Sequence, residues 1–386
     1  MIPPTAGFEF RVLARDGQAR RAILGTPHGE IDTPAFMPVG TQGSVKALSP
    51  AEVESTGARI VLGNTYHLML RPGADVVASL GGLRSFARWP HAMLTDSGGF
   101  QAYSLSTSPG NPRGGSRVDA AEEGFTFKSH IDGSTHTLTP ESAVRLQASL
   151  GADVQMQLDV CPPADAPRDD IERAVARTTR WAKRAVAVAR PERQAMFGIV
   201  QGGCFADLRR RHAEELGALP FDGLALGGFS VGEPIDLMHE AVAAAAPALD
   251  AERPRYLMGV GTPSDMVRAI GAGVDLFDCV LPTRNARNGQ ALTRFGRVVV
   301  KQARWRQDAR PIDERCGCAC CAGGFSRAYL RHLFLAGEIL ALRLLSLHNL
   351  HWYGELVREA RIAIEQGRYA LWSQGALSDM QGEGSE

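Results

Sequence analysis

Two aspartates stand where covalent chemistry could be done. Asp96 lies in Thr95-Asp96-Ser97-Gly98-Gly99-Phe100-Gln101 and Asp278 in Leu276-Phe277-Asp278-Cys279-Val280-Leu281-Pro282, each directly after a short apolar run. Paired carboxylates across a cleft are what glycosyl transfer requires, one attacking the anomeric carbon and the other handling the proton. Taken alone, each aspartate reads equally well as an Asx cap or a partner for arginine. Asp159 and Gln201 add an acceptor and an amide at the ends of two further runs. Together the four describe a polar pocket able to read a base.

A second cluster points to a metal. Cys316, Cys318 and Cys321 form C-x-C-x-x-C, and His348 follows in a leucine- and alanine-rich segment, Ser326 to Leu350, that reads as helical. Three thiolates and one imidazole make a closed tetrahedral Zn²⁺ shell, the structural type with no open position for water. Spacing alone leaves two substitutions open: Cys320 for Cys321, and His332 or His351 for His348. The same closed shell argues against a barrel hydrolase whose metal does the chemistry.

The elements that must carry these side chains are repeated βα units. Eight short apolar runs recur with helical patterns between them: Phe36 to Val39, Ile60 to Leu62, Ala92 to Thr95, Val154 to Leu158, Phe197 to Val200, Gly223 to Leu226, Tyr256 to Met258 and Asp275 to Phe277. That rhythm specifies a parallel sheet. Most runs end in Gly, Asn, Asp or Gln, and in a barrel the carboxyl ends of the strands form the active face. Among the helices, Thr139 before Pro140 and Glu141 reads as a capped start, with Gly151 as the stop. The stretch from Asp169 to about Ala189, with Arg173, Arg177, Arg180, Lys183 and Arg184, reads as a solvated outer helix.

The chain has 386 residues, 42 basic against 42 acidic side chains, and 44% apolar residues. That is a globular profile. The longest apolar run, Ala241 to Leu249, is interrupted by Pro247 and falls far short of the roughly 20 residues a bilayer requires. With no basic start or apolar stretch at Met1-Ile2-Pro3-Pro4, the expected compartment is the cytoplasm. Charge is uneven, however: from Arg284 to Arg315 nine Lys or Arg face three acids. A stripe of that kind beside an active-site mouth suits a phosphate-bearing partner. The expected division is a barrel over residues 1–290, a zinc-binding part with C-terminal helices over 291–373, and a frayed polar tail over 374–386.

Phe36-Met37-Pro38-Val39-Gly40-Thr41, Leu62-Gly63-Asn64-Thr65-Tyr66-His67-Leu68, Leu94 to Gln101, Phe277 to Arg284 and the cysteine cluster resemble bacterial tRNA-guanine transglycosylases, also called queuine tRNA-ribosyltransferases. The resemblance runs from about Phe8 to Ser373. It implies a (β/α)8 TIM barrel with a zinc-binding insertion near the C-terminus. It also implies exchange of guanine 34, the wobble base of tRNAs for Asp, Asn, His and Tyr, for preQ1, a 7-aminomethyl-7-deazaguanine, in queuosine biosynthesis. In that reading Asp278 is the nucleophile and Asp96 the general acid/base. Asp159, Gln201 and the backbone of Gly228 read the base, Phe100 and Met258 sandwich it, and Asn64, Ser97, Gly98, Gly99 and Phe229 complete the pocket. RNA would lie along Gly259, Val260, Gly261, Thr262, Pro263, Ser264 and Asp265, and along Thr283, Arg284, Asn285, Ala286 and Arg287. One zinc ion on Cys316, Cys318, Cys321 and His348, and a homodimer, are likewise implied.

The chain departs from the family pattern at Val160, where many bacterial members have Glu, at Phe229, where Leu is usual, and in the extra Cys320. Cys161 and Val231 match preQ1 users rather than queuine users. Two alternatives follow from the resemblance: a catalytically silent RNA-binding partner subunit, against which the retained Asp96, Asp278, Asp159 and Gln201 speak, and a queuine-salvaging member.

Overall fold

The computed structural model describes residues 5–102 and 121–381. Strands β1 (Glu9–Asp16), β2 (Ala19–Thr26) and β3 (Gly29–Thr33) form an antiparallel sheet that the βα rhythm did not announce. Eight parallel strands then close into a barrel: β4 (Ala35–Gly40), β5 (Ile60–Gly63), β6 (Ala92–Thr95), and, after a hairpin of β7 (Phe125–Lys128) and β8 (Thr135–Leu138), β9 (Val154–Met156), β10 (Ala195–Val200), β11 (Gly223–Leu226), β12 (Arg255–Leu257) and β13 (Leu276–Cys279). Strand β13 pairs back onto β4, which closes the ring. Each barrel strand coincides with one of the eight runs. A last hairpin, β14 (Gln290–Thr293) and β15 (Gly296–Val299), follows.

Strand alternation sorts the side chains. Met37, Ile60, Leu62, Leu94, Val154, Met156, Phe197, Ile199 and Tyr256 fill the barrel, while Val61, Met93, Met196 and Leu224 face the helical layer. The N-terminal sheet stoppers the amino ends of the strands: Leu24 and Ile31 join the interior cluster, with Phe8 and Phe10 packed on it. Below them Arg20 and Asp275, both fully buried, are paired. Removing either partner alone would strand a buried charge, a loss of roughly 3–5 kcal/mol.

The helix Pro140–Leu150 starts on Thr139, whose hydroxyl accepts from the Ser142 N–H, and stops at Gly151 in a left-handed conformation. Helix Arg168–Val186 is an outer helix with Arg173, Arg180 and Lys183 on its exposed face, as expected, and a buried inner face. It buries Ile171, Val175, Thr178, Trp181 and Ala182, and its arginines are engaged. Arg180 grips the Glu122 carboxylate at 2.7 and 2.8 Å, and Arg184 grips Glu141 and the carbonyls of Glu122 and Glu123.

Two expectations near the C-terminus are corrected. Ser326 to Leu350 is not one helix but two, Arg327–Leu335 and Ile339–Glu365, broken at Gly337, whose φ of 74° no continuing helix accommodates. The polar tail does not fray at Ser373 either. Helix Tyr369–Gln381 continues through it, anchored by Tyr369, whose N–H reaches Asp16 and whose hydroxyl donates to the Val267 carbonyl. Residues 382–386 lie outside the described part. No helix among the described residues is long and apolar enough to cross a membrane.

Candidate active site

The carboxyl ends of the strands open into a cavity of about 470 Å³, of the size that holds a small ligand. Asn64, Asp96, Ser97, Phe100, Asp159, Gln201, Gly228, Phe229, Met258, Gly259, Asp278 and Arg284 all line it. Residues spread over more than two hundred positions thus meet because each ends, or directly follows, a barrel strand.

Asp278, on β13, points one oxygen at two donors. Its Oδ1 accepts from the Tyr256 hydroxyl at 2.5 Å and from the Gly259 N–H at 2.8 Å. Among the described residues Oδ2 has no hydrogen-bond partner. Burial pushes the carboxyl above its ordinary range, and those two donors pull it back. Asp96, after β6, accepts from the Thr65 N–H at 2.9 Å and from the Asn64 amide, while its own carbonyl accepts from Thr65 Oγ1. Burial pushes its carboxyl up to about 7, with the nearby Asp278 adding to the rise and the Thr65, Gly98 and Asn64 donors opposing it. The two carboxyls thus differ in surroundings: Asp278 presents one oxygen without a partner among the described residues, and Asp96, pushed up to about 7, can hold or release a proton near neutral pH.

The base-sized end of the cavity is built on two strand ends. Gln201 Nε2 donates to Asp159 Oδ2 at 2.6 Å, and the Gln201 N–H donates to His212 Nδ1 at 2.8 Å. Asp159 is raised to about 6 by burial, with the Gln201 amide opposing, so it is an acceptor at neutral pH. Among the described residues Gln201 Oε1 has no partner, and it lies 2.3 Å from where a Cβ on Gly228 would stand. Gly228, at φ 71°, holds a backbone conformation that favours glycine, and any side chain there would collide with Gln201. Phe100 is 45% exposed, an aromatic face turned to the cavity rather than the core, and Met258 stands on the barrel interior.

Gly98 and Gly99 do not line the cavity; they shape its wall. A Cβ on Gly98 would stand 3.0 Å from the Tyr66 backbone nitrogen, and one on Gly99 would stand 2.7 Å from Leu158. Asn64 serves two sides, since its Oδ1 caps the helix Thr65–Leu70 through the His67 N–H at 3.0 Å.

The two segments expected to meet RNA are uneven. Thr262 caps the helix Pro263–Gly271, so Pro263, Ser264 and Asp265 form its first turn. Val260, Asp265, Thr283 and Ala286 have buried side chains, and Asp265 is held by His239 at 2.8 Å. Arg284 is exposed at the cavity mouth; Arg287, one turn on in the helix Leu281–Arg287, is partly buried with one guanidinium nitrogen unpartnered.

Geometry brings one candidate metal set together. Cys316 Sγ, Cys318 Sγ and Cys321 Sγ lie 3.6, 3.5 and 3.4 Å from His348 Nδ1, and all four atoms fall within 4.8 Å of one another. Tetrahedral Zn²⁺, with Zn–S about 2.3 Å and Zn–N about 2.0–2.1 Å, puts sulfur and nitrogen about 3.5 Å apart. The set could hold that ion. His348 Nε2 lies 2.9 Å from the Leu292 carbonyl, which fixes a proton there and leaves Nδ1 free to ligate. Cys320 is buried outside the set, and His332 stacks near Tyr329, so the open register closes on Cys321 and His348.

Sequence reasoning missed Tyr256, Thr65, His212 and Arg209. Tyr256 had a signal, because alternation along β12 puts it on the same inward face as Met258, where a hydroxyl needs a partner.

The family described as queuine tRNA-ribosyltransferase matches residues 16–381. The chain is similar to a queuine tRNA-ribosyltransferase of Sorangium cellulosum, 65% identical over 373 residues, covering 97% of this chain and 92% of that one. It is 53% identical to one of Solidesulfovibrio magneticus over 92% of this chain and 94% of that one. A Caldanaerobacter subterraneus relative of the same name is 48% identical over 99% of this chain and 100% of its own.

Proposed function

Because the chain belongs to the queuine tRNA-ribosyltransferase family, a family of pentosyl-transferring enzymes, we propose that it exchanges guanine 34 of the tRNAs for Asp, Asn, His and Tyr for preQ1 by double displacement. The observation that carries this is the meeting of Asp96, Asp278, Asp159 and Gln201 in one cavity.

Asp278 Oδ2 attacks C1′ of the ribose as the bond from C1′ to N9 breaks and its electron pair leaves with guanine. Asp96 gives the leaving base a proton, which suits a carboxyl pushed up to about 7. In the second half the incoming base loses its N9 proton to Asp96 and attacks C1′, displacing Asp278 with net retention.

Asp159 accepts from N1–H and the exocyclic amine of the base. The second hydrogen of Gln201 Nε2 and the Gly228 N–H donate to O6. Adenine would leave these buried groups unpaired, which is how such a site rejects it. Phe100 and Met258 hold the extruded ring between them. The aminomethyl group of preQ1 is met by the main-chain carbonyl of Phe229, a contact that the replacement of the usual Leu leaves intact. Cys161 and Val231 also line the cavity and leave little room for the cyclopentenediol of queuine.

Arg284 and Arg287 hold phosphates flanking the wobble nucleotide, with the turn Gly259 to Thr262 beside them. Cys316, Cys318, Cys321 and His348 would hold one structural Zn²⁺ per chain, which would tie the loop Cys316 to Cys321 to the helix Ile339–Glu365. The chain acts in the cytoplasm as a homodimer. Supporting the dimer is the exposed apolar turn of Leu335, Ile339 and Leu340.

Single-turnover incorporation of labelled guanine, preQ1 and queuine into tRNA, run side by side, tests the proposal. Exchange of guanine and preQ1 with little queuine use is expected. No exchange with any base would leave a silent RNA-binding subunit, and equal use of queuine would point to salvage.

A further inference from the structure

Helix Ala206–Gly217 carries three successive arginines, Arg209 to Arg211, and the first of them is where the helix meets the barrel. Arg209 is fully buried there. Its Nε donates to the Gly203 carbonyl at 2.6 Å, Nη1 to Val200 at 3.2 Å and Nη2 to Gly227 at 3.0 Å. Its guanidinium carbon lies 3.8 Å from the centre of the Phe229 ring. No carboxylate is within ion-pair reach among the described residues. A cation buried without a direct counter-ion costs several kcal/mol, so its place must be held by what it touches.

What it touches is the edge of the pocket. Val200 and Gly203 flank Gln201, and Gly227 precedes Gly228. We propose that Arg209 is a positioning residue for base recognition: it ties the segment after β10 to the segment after β11 and seats Phe229, so that the Gln201 amide and the Gly228 N–H converge. The role rests on the proposed function, since it gives those two groups a base to read.

Three observations support it. A Cβ on Gly202 would stand 2.8 Å from Arg209 Cγ, so the turn is fitted to this side chain. A Cβ on Gly228 would stand 2.3 Å from Gln201 Oε1, so the two strand ends are fitted closely to each other and a slip of either disturbs both donors. His212, one turn along the same helix and also fully buried, takes the Gln201 N–H. Lysine cannot replace this arrangement, because one ammonium cannot serve three spread carbonyls and a ring face together.

The test is steady-state exchange by the full-length Arg209→Lys and Phe229→Leu variants, with tRNA and labelled guanine varied separately. Arg209→Lys should raise the KM for guanine about tenfold or more and leave the KM for tRNA within twofold. Phe229→Leu should raise the guanine KM about threefold, and less than that again in the Arg209→Lys background, because the two share one contact. A merely structural arginine would lower the folded fraction, dropping kcat with both KM values unchanged; that result overturns the role. If Arg209→Lys does not fold, Phe229→Leu decides alone, and a wild-type guanine KM there overturns it. A wild-type chain that exchanges no guanine refutes the proposed function and this role with it, whereas exchange with an unshifted guanine KM in Arg209→Lys refutes this role only.

Discussion

Tyr256 donates its hydroxyl to Asp278 Oδ1 at 2.5 Å, and the Gly259 N–H meets the same oxygen at 2.8 Å. Both donors favour the ionised carboxylate that burial opposes. Tyr256→Phe removes the stronger of them and leaves the ring in the barrel core. The carboxyl then climbs further, and the rising limb of the pH–rate profile moves to higher pH. Exchange should fall most on the acid side of the profile and recover toward wild type as pH rises. A loss of the same size at every pH would mean that Tyr256 only packs.

If Asp278 is the nucleophile of the proposed mechanism, Asp278→Asn keeps the shape of the site but offers no oxygen able to attack C1′. The RNA-linked band on a denaturing gel should vanish, with tRNA affinity changed less than about threefold. A band at wild-type yield would remove Asp278 from that role.

Asp96 makes a prediction about stability as well as rate. Its carboxyl titrates near 7 in the folded chain, against about 4 for an ordinary aspartate. Between those values the folded state binds the extra proton, so this contribution to stability is fully present below about pH 4 and lost as pH rises through about 7. Asp96→Asn removes that loss. The variant should melt a few degrees above wild type at pH 8, with the gap closing toward pH 4, while exchange falls at least a hundredfold. A gap that ignores pH would place the titration on another group.

Much of this was legible in the chain itself, for a physical reason. Barrel strands are buried on both faces, so they read as short apolar runs, and the polar residue after each run marks the active face. The first sheet escaped because β1 is half exposed along its length and follows no βα rhythm. Arg209 was illegible for the opposite reason. In Ala206-Asp207-Leu208-Arg209-Arg210-Arg211 it looks like surface charge, and only its alignment with Leu208, His212 and Leu216 on the buried side of the helix separates it from its neighbours. The metal set could be counted from spacing but not registered. Choosing between Cys320 and Cys321 depends on which sulfur turns toward His348, which the fold decides.

Zinc content reads that choice directly. Cys320→Ser should keep about one ion per chain and cost little stability, since Cys320 packs in the subdomain core without facing His348. Cys321→Ser should lose most of the metal and lower Tm by several degrees, because ligand binding and folding are coupled in such a site. The reverse pattern in elemental analysis would move the ligand to Cys320.

Arg284 and Arg287 sit one helical turn apart, and no carboxylate pairs with either among the described residues. Arg287, held partly out of solvent, is made less basic by burial and by Arg284, and one of its nitrogens has no partner. Two like charges a turn apart on a helix repel, a small cost that an anion between them would reverse. In the proposed function, phosphates beside the wobble nucleotide are the anions that would do so. Each arginine that neutralises one phosphate releases condensed counterions, which steepens the fall of affinity with salt. Arg284→Gln and Arg287→Gln should therefore each weaken tRNA binding and flatten the plot of log K against log salt, by roughly 0.7 for a contact to a single-stranded loop. The KM for free guanine should stay within twofold, because neither change reaches Asp159 or Gln201. A salt slope unchanged in both variants would place the RNA backbone on another face of the barrel mouth.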